Sequence, residues 1–471
     1  MKIAGVHVER RSTVYFVGDV VVAIVALAAA LAFRTGTPIY AIDLAGFVDR
    51  STGAASIFVL SHVLFIYISE AYAPSRDYRK PSNVMRLWTA MGAASLMQTA
   101  LFYMLPYWST SRALFLVANI AFFAGLTFWR GLMCQIRPKL SVRHRTVILG
   151  ADQTGHDIAS AILKDPEVRL RYDIVGFVDD PNELLDPINS PSGLSIVGGR
   201  SALRSWVAAE RIGSIIVAIR SGMSPALTRQ LLECKAAGIL IEDMRVVYKR
   251  MTGKVPVQYV SDTSIIFGPE FAGRHGTHLF FQRLADIAVS ALGLLLSAPL
   301  VALAGIAVKL ETKGPVMYSQ TRVGLDEKPF TIYKLRSMGI NAEAKSGAVW
   351  SQGPADPRVT RVGRFLRRTR IDELPQFYNV FVGDMSMVGP RPERPHFVEQ
   401  LKGQIPYYSL RFAVKPGVTG WAQVMYHYGA SVDDSREKLC YDLYAIQEAN
   451  PALYGLILLK TVQTVLLKPG S

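Results

Sequence analysis

The chain has 471 residues, of which 50% are hydrophobic, and a formal net charge of +15, so we expect two or three domains and substantial contact with a membrane. Its three cysteines are far apart and form no CxxC pair, which excludes a disulfide framework. No zinc-ligand spacing or RNA-binding signature accompanies the positive charge, so we expect anionic lipid or a phosphorylated substrate as its partner, and no nucleic acid.

Four apolar stretches fill the first third of the chain, and each is close to the ~20 residues that a spanning helix needs. They occupy residues 13–33, 54–72, 87–108 and 113–129. A cleaved signal peptide is the alternative for the first stretch, but three more apolar segments follow it. Basic residues cluster before the first stretch, after the second and after the fourth: Lys2, Arg10, Arg11, Arg76, Arg79, Lys80, Arg86, Arg130, Arg137, Lys139, Arg143 and Arg145. We therefore predict a four-helix transmembrane domain over residues 1–135 with both ends in the cytoplasm.

Strand and helix patterns alternate from residue 146 onward, which predicts a parallel α/β sheet. The predicted strands are 146–150, 174–178, 214–219 and 239–244, with helices at 155–163 and 227–237. The turn after the first strand resembles a Rossmann phosphate loop, but Asp152 replaces its central glycine and would repel a pyrophosphate. Asp179 and Asp180 follow the next predicted strand, where their carboxylates could bind a ribose. We predict a Rossmann-like domain over residues 143–266 that binds no dinucleotide.

Another apolar stretch, residues 284–308, follows a linker rich in Gly and Pro at residues 268–276. Basic residues flank the stretch on both sides: Arg274, Arg283, Lys309 and Lys313. This pattern indicates that both ends lie on the cytoplasmic face. Pro299 removes a backbone donor and kinks the helix, and Ser297 can bond to a freed carbonyl. We predict a re-entrant membrane helix over residues 283–310, with a fifth crossing helix as the alternative.

Asp372 and Glu373 stand side by side among many cations. The arginines nearest in sequence are Arg361, Arg364, Arg367, Arg368, Arg370, Arg391 and Arg394. Cations at this density suit a substrate with several phosphate charges, and we expect them to depress the pKa of both carboxylates and keep a nucleophile ionised. The alternative is a helix N-cap, because an Asp followed by Glu373 and Pro375 is a common helix-start signal.

Five ordered motifs lie within residues 281–468. They are KLRSM at 334–338, DPRVT at 356–360, IDELPQ at 371–376, GDMSMVGPRP at 383–392 and KPGVTGWAQ at 415–423. On these motifs the chain resembles the bacterial polyprenyl-phosphate sugar-1-phosphate transferases, which start exopolysaccharide, O-antigen and capsule repeat units. Four spans followed by a Rossmann-like domain are similar to the long form of that family, which includes the undecaprenyl-phosphate glucose and galactose phosphotransferases.

The resemblance implies a reaction at the cytoplasmic face of the bacterial inner membrane. A UDP-sugar would give its sugar-1-phosphate to undecaprenyl phosphate and release UMP. Asp372 matches the family nucleophile, which would carry a covalent phospho-sugar, and Glu373 matches the partner acid that helps to hold Mg²⁺. Four cationic positions of the family site are matched by Lys334, Arg336, Arg367 and Arg391. The catalytic domain would cover residues 278–471.

Three departures from the family pattern qualify this resemblance. Ala298 separates Ser297 from Pro299 where the family has Ser-Pro, Leu335 replaces a commoner Phe, and residues 424–430 lack the Asn-Gly turn of many relatives. The identity of the sugar therefore stays open. A homo-oligomer is possible, and the sequence does not decide the oligomeric state. A membrane scaffold or nucleotide sensor of a polysaccharide-assembly system is the alternative function.

Overall fold

The fold is known from a computed structural model. It describes residues 2–3, 6–7, 10–36, 52–69, 71, 81–104, 111–140, 143–165, 168–180, 193–219, 223–260, 276–340, 342, 356–426, 429 and 431–467. Residues 268–275 of the predicted linker and the basic residues Arg76, Arg79 and Lys80 lie outside these ranges. Near the N-terminus, β1 (Lys2–Ile3) pairs antiparallel with β2 (Val6–His7).

Four helices are described in the N-terminal part. They are α1 (Arg10–Thr35), α2 (Thr52–Ile68), α3 (Pro81–Met104) and α4 (Arg112–Leu140). Helix α1 packs along α4, and α2 packs along α3. An ion pair between Asp19 and Arg130, 2.5 Å apart and fully buried, joins α1 to α4, so the two helices are tied together by a charge pair as well as by apolar contacts.

Within the described part of the chain, three helical segments are long and apolar enough to cross a membrane, namely Val14–Thr35, Arg112–Ile136 and Leu279–Glu311. The segment Gly53–Ile68 in α2 is apolar but shorter, and α3 is 24 residues long but is not among the three. The chain is thus a membrane protein, and two of its four N-terminal helices meet the requirements of a span.

The middle of the chain forms one parallel sheet. Its strands are β3 (His144–Leu149), β4 (Tyr172–Val178), β5 (Ile196–Gly198), β6 (Ser214–Val217) and β7 (Leu240–Asp243). The helices around it are α5 (Gln153–Lys164), α6 (Leu203–Ala209), α7 (Pro225–Ala236) and α8 (Met244–Thr252). The strand order is β5-β4-β3-β6-β7, which is the order of a Rossmann-like sheet. Alternate residues of β3 enter two apolar clusters, Ile148 on one face and Val147 on the other.

The turn after β3 is occupied by the domain's own carboxylates. Asp152 accepts a hydrogen bond from the backbone N–H of Gly155 at 3.1 Å and caps α5. Asp179 accepts from the N–H of Ala151 at 2.7 Å and pairs with Arg200 at 2.8 Å. Two of the backbone donors that could hold a pyrophosphate are therefore already engaged, and the lack of a bound dinucleotide stays a prediction.

The C-terminal part is an α/β unit built beside one long helix. Its elements are α9 (Gly276–Glu311), β8 (Met317–Val323), β9 (Pro329–Leu335), α10 (Arg361–Thr369), α11 (Gln376–Val382), β10 (Ser386–Val388), α12 (Pro395–Gln404), β11 (Gly417–Thr419), α13 (Trp421–Met425), α14 (Val432–Gln447) and α15 (Pro451–Leu467). The hairpin β8–β9 is antiparallel, and β10 pairs with β11 in parallel. Helix α15 reaches the N-terminal part, where Gln463 donates to the carbonyl of Ile68 at 3.0 Å.

Helix α9 is continuous over 36 residues, with Pro299 inside it. Pro299 is exposed and Ser297 is buried. The outward face is apolar and exposed at Leu292, Leu295, Leu296, Leu300, Leu303 and Ile306. An apolar face of this extent fits contact with lipid, and the re-entrant position of the helix stays a prediction.

Both ends of α9 bind the same C-terminal unit. Near its start, the guanidinium of Arg283 donates to the carbonyls of Val380 at 2.7 Å and Phe381 at 2.8 Å, both in α11. At its end, the carboxylate of Glu311 accepts from the backbone N–H of Arg361 at 2.8 Å, at the start of α10. The pair α10–α11 therefore runs alongside most of α9.

Candidate active site

A sharp turn between α10 and α11 carries the two acids. Helix α10 ends at Thr369, and the next residue, Arg370, caps it in a left-handed conformation with φ 60°. Residues 371–373 then form a single 3-10 turn, and α11 begins at Gln376. Ile371 enters an apolar cluster with Ala304 and Val308 of α9. The turn is thus fixed between the end of α10 and the long membrane helix.

Asp372 is buried, with 7% of its surface exposed. Nothing in the described ranges donates a hydrogen bond to its carboxylate, and the residue at the N-cap of α11 is Pro375. The N-cap interpretation of Asp372 is therefore wrong, because its side chain bonds to no backbone N–H of the following helix. A carboxylate that accepts no hydrogen bond keeps its oxygen lone pairs available for attack on an electrophile, which suits a nucleophile.

Glu373 is held by three cations. Its Oε1 atom accepts from Lys334 Nζ at 3.0 Å and from an Arg391 guanidinium nitrogen at 2.6 Å. Arg370 lies 3.9 Å from Oε2. Lys334 comes from β9 and Arg391 from the segment after β10, so this acid joins three separate parts of the fold.

The two acids have opposite electrostatic environments. Burial, together with the charge of Glu373, raises the pKa of Asp372 above its ordinary value, although Lys334 and Arg367 partly oppose this. Burial alone would also raise the pKa of Glu373, but the charges of Arg391 and Lys334 hold that pKa well below its usual range. The expectation of a depressed pKa was therefore wrong for Asp372, because desolvation outweighs the neighbouring cations there.

The structure separates the remaining predicted cations. Arg367 lies near the acids, and its Nε atom donates to Ser337 Oγ at 2.8 Å. Arg336 turns away and is buried, where its guanidinium donates to the carbonyls of Lys313 at 2.7 Å and Thr312 at 3.0 Å. Arg336 thus binds the chain just after α9, and a contact with substrate at this position stays a prediction.

Two cations that the sequence did not single out also support this region. The buried Arg411 donates to the carbonyl of Arg391 at 3.0 Å and pairs with Asp442 at 3.0 Å. Arg322 in β8 donates to the carbonyl of Pro392 at 3.1 Å. Both hold the backbone around Arg391, and only their tertiary contacts reveal this, since their sequence neighbours carry no motif for it.

The acids form a small set of hard oxygen donors. No group of three or more His, Cys, Asp or Glu side chains suitable for a metal occurs in the part of the chain that the structure describes. Mg²⁺ commonly takes one or two carboxylates and completes its shell with water and substrate phosphates. Asp372 and Glu373 fit that pattern only when phosphates supply further ligands, because two cations already occupy Oε1 of Glu373.

Comparison with known proteins gives a consistent result. Residues 277–468 match the family described as bacterial sugar transferase. The chain is 41% identical over 246 residues to the UDP-N-acetylgalactosamine-undecaprenyl-phosphate N-acetylgalactosaminephosphotransferase of Aeromonas hydrophila, which covers 52% of this chain and 56% of that protein. It is 35% identical over 291 residues to the UDP-glucose:undecaprenyl-phosphate glucose-1-phosphate transferase of Escherichia coli K12, covering 59% of each.

A third relative is matched over more of its own length. The chain is 42% identical over 187 residues to the UDP-glucose:undecaprenyl-phosphate glucose-1-phosphate transferase of Caulobacter vibrioides, which covers 39% of this chain and 69% of that protein. Over the first two relatives, by contrast, the chain spans only 56% and 59% of their length.

Proposed function

Because the chain belongs to the bacterial sugar transferase family, we propose that it transfers sugar-1-phosphate from a UDP-sugar to undecaprenyl phosphate. The products are UMP and undecaprenyl-diphosphate-sugar, the first lipid-linked intermediate of an exopolysaccharide, O-antigen or capsule repeat unit. The observation that carries this proposal is the buried Asp372, whose carboxylate accepts no hydrogen bond from the described residues, beside a Glu373 that accepts from Lys334 and Arg391.

The reaction proceeds in two displacements at one phosphorus atom. A carboxylate oxygen of Asp372 attacks the phosphorus that bears the sugar, and the bond to the bridging oxygen breaks, so that UMP leaves with the electron pair. The acyl phosphate on Asp372 then carries the sugar. A phosphate oxygen of undecaprenyl phosphate attacks the same phosphorus and releases the carboxylate. This order suits a soluble donor and a lipid acceptor that need not be bound together.

The cations around the two acids have different roles. Arg391 and Lys334 pair with Glu373 and hold its carboxylate ionised. Arg367 lies close enough to act on Asp372 by its charge. In phosphoryl transfer such fixed cations stabilise the charge that develops on the non-bridging and leaving oxygens. Glu373 itself is too strongly paired to act as the nucleophile.

Mg²⁺ is the metal that this donor set favours. Glu373 would hold it together with the diphosphate of the donor, and the ion would neutralise charge on the leaving group. Because Lys334 and Arg391 already share Oε1 of Glu373, we expect the protein to bind Mg²⁺ weakly until the UDP-sugar is present.

We further propose that α9 is re-entrant and that the site faces the cytoplasm at the inner membrane. Arg283 and Glu311 are 28 residues apart along α9, about 42 Å for a straight helix, yet both bind one C-terminal unit. A full crossing would carry Ile371 and the adjoining acids to the level of Ala304, inside the apolar segment. Charged groups are costly at that depth, whereas a helix that returns to its own face avoids the cost.

The topology is tested with single cysteines at the exposed positions Leu279 and Leu310. The native cysteines, Cys134, Cys234 and Cys440, are buried and give a low background. We expect a membrane-impermeant maleimide to label both engineered positions in inverted vesicles and neither in intact spheroplasts. Labelling of the two positions from opposite sides would refute the re-entrant arrangement.

The catalytic proposal is tested with Asp372→Asn and, as a matched control, Asp384→Asn, because Asp384 is an exposed acid in the same unit. Membranes receive UDP-glucose, UDP-galactose or a UDP-N-acetyl sugar, with Mg²⁺ and undecaprenyl phosphate. We expect UMP release with at least one donor, its loss in Asp372→Asn and its retention in Asp384→Asn. Full activity of Asp372→Asn would remove Asp372 as the nucleophile, and no release from any donor would refute the proposed function.

A further inference from the structure

The chain that leaves α8 is part of the C-terminal unit, although the sequence assigned it to the middle domain. Val255 and Val257 are buried in one apolar cluster with Trp421 and Tyr444. The backbone N–H of Val255 donates to the carbonyl of Cys440 in α14 at 2.9 Å. The middle domain therefore sits on the C-terminal unit through packed core residues rather than through a loose linker.

Trp421 provides one of the polar contacts across this junction. Its indole Nε1 donates to the carbonyl of Gly253 at 2.9 Å. Gly253 ends α8 in a left-handed conformation with φ 65°. The indole ring is 6% exposed and stacks on Tyr444, with ring centroids 5.8 Å apart. A buried indole with its only donor engaged is fixed in both position and orientation.

The segment before Trp421 interlocks with the segment before Arg391. Gly389 donates to the carbonyl of Thr419 at 2.9 Å, and Gly417 donates to the carbonyl of Pro390 at 2.9 Å. A Cβ atom on Gly389 or Gly417 would collide with the backbone of the other segment. Close backbone contact of this kind leaves little freedom, so a shift of Trp421 must move the backbone that carries Arg391.

We propose that Trp421 is a positioning residue through which the end of α8 in the middle domain holds Arg391 against Glu373. The proposal rests on the proposed transferase function, and it gives the middle domain a direct role in that reaction. The series of contacts begins at the Gly253 carbonyl, which accepts from Trp421. It ends at the 2.6 Å contact between Arg391 and Glu373. Removal of the indole donor should therefore lower turnover without changing any group that touches the substrate.

The test uses Trp421→Phe in the purified full-length protein, reconstituted in lipid nanodiscs. The matched control is Trp88→Phe, because Trp88 also donates one indole hydrogen bond, to Thr127 Oγ1 at 3.1 Å, but lies in α3. The free energy of one such hydrogen bond corresponds to a factor of about five in a rate constant. We expect kcat for UMP release to fall about fivefold in Trp421→Phe with an unchanged KM for the donor, and the control to match the wild type.

A double-mutant cycle with Arg391→Lys shows whether the effect passes through Arg391. We expect Trp421→Phe to cost less than twofold when Arg391 is already replaced. An unchanged kcat in Trp421→Phe, or an equal loss in both backgrounds, would overturn the proposal. If Trp421→Phe fails to fold, Gly253→Ala replaces it, since its Cβ would lie 3.2 Å from Trp421 Cζ2 and disturbs the same contact from the middle domain. An inactive wild-type protein would count against the transferase function instead.

Discussion

Replacement of Gly363 by alanine gives the sharpest test of how the fold positions the acids. Gly363 lies in α10, where a Cβ atom would be 2.6 Å from the carbonyl carbon of Ser337 and closer still to its oxygen. Ordinary contacts of a Cβ begin at 3.4 Å, so α10 and the residues just after β9 must separate by at least about 0.8 Å. The neighbour is backbone, which cannot rotate away.

The consequence for catalysis follows from what α10 carries. Arg367 lies in this helix, and the chain continues from Arg370 directly into Asp372 and Glu373. A misplacement on the order of 1 Å in a catalytic constellation costs about 10²-fold in rate. Overpacking of this kind typically costs about 1–3 kcal/mol of stability. We therefore expect Gly363→Ala to remain folded and to lose roughly a hundredfold in kcat.

The assay is UMP release from the UDP-sugar that the wild type accepts, with a thermal unfolding curve of the same preparation. Gly403→Ala is the matched control, because Gly403 is an exposed glycine in α12 with open space around it. That variant should keep full activity and gain slightly in stability. If Gly363→Ala turned over within twofold of the wild type, the contact between α10 and β9 would not position the acids.

Three further substitutions and one titration probe other parts of the structure. Arg391→Gln removes the cation 2.6 Å from Glu373 and should lower kcat/KM for UMP release by about 10²-fold. Arg336→Met leaves the carbonyls after α9 without their hydrogen-bond donor, so it should lower the thermal midpoint and leave the KM for the UDP-sugar unchanged. A changed KM with an unchanged thermal midpoint would instead indicate that Arg336 contacts the substrate. Asp286→Ala removes the acceptor of the Met387 N–H and should cost about 1–3 kcal/mol in thermal unfolding. Titration with NADH should change neither fluorescence nor stability, and saturable binding would contradict the prediction for the middle domain.

Much of the architecture could be predicted because it depends on local patterns. The alternation of short apolar strands with helices predicted the middle sheet, and four of its five strands were placed correctly to within a few residues. Strand β5 was missed because it is only three residues long and half-buried throughout. Pro299 lies inside the long helix and does not end it, and the kink expected there stays a prediction.

The details of the site could not be predicted because they depend on tertiary contacts. The sequence Asp372-Glu373-Leu374-Pro375 has the composition of a helix start, but the left-handed Arg370 inserts a 3-10 turn before α11 begins. The number of nearby cations predicted a depressed pKa for Asp372. The sequence does not show that this side chain is buried, and burial raises its pKa. Spacing also gave no means of separating Arg336, which binds the chain just after α9, from the cations that reach Glu373.

The contacts of α9 also set a constraint on how the protein is made. The partners of Arg283 lie 97 and 98 residues further along the chain, and Asp286 bonds to Tyr454, 168 residues away. At a synthesis rate of about 5–20 residues per second, roughly 5–30 s separate the emergence of α9 from that of its partners. The fate of this helix in the membrane is therefore decided while its anchors are still untranslated. In the proposed re-entrant arrangement, the sequence of α9 itself, with Arg283 before it, Lys309 after it and Pro299 between them, would have to keep both ends on the side of the ribosome during that interval.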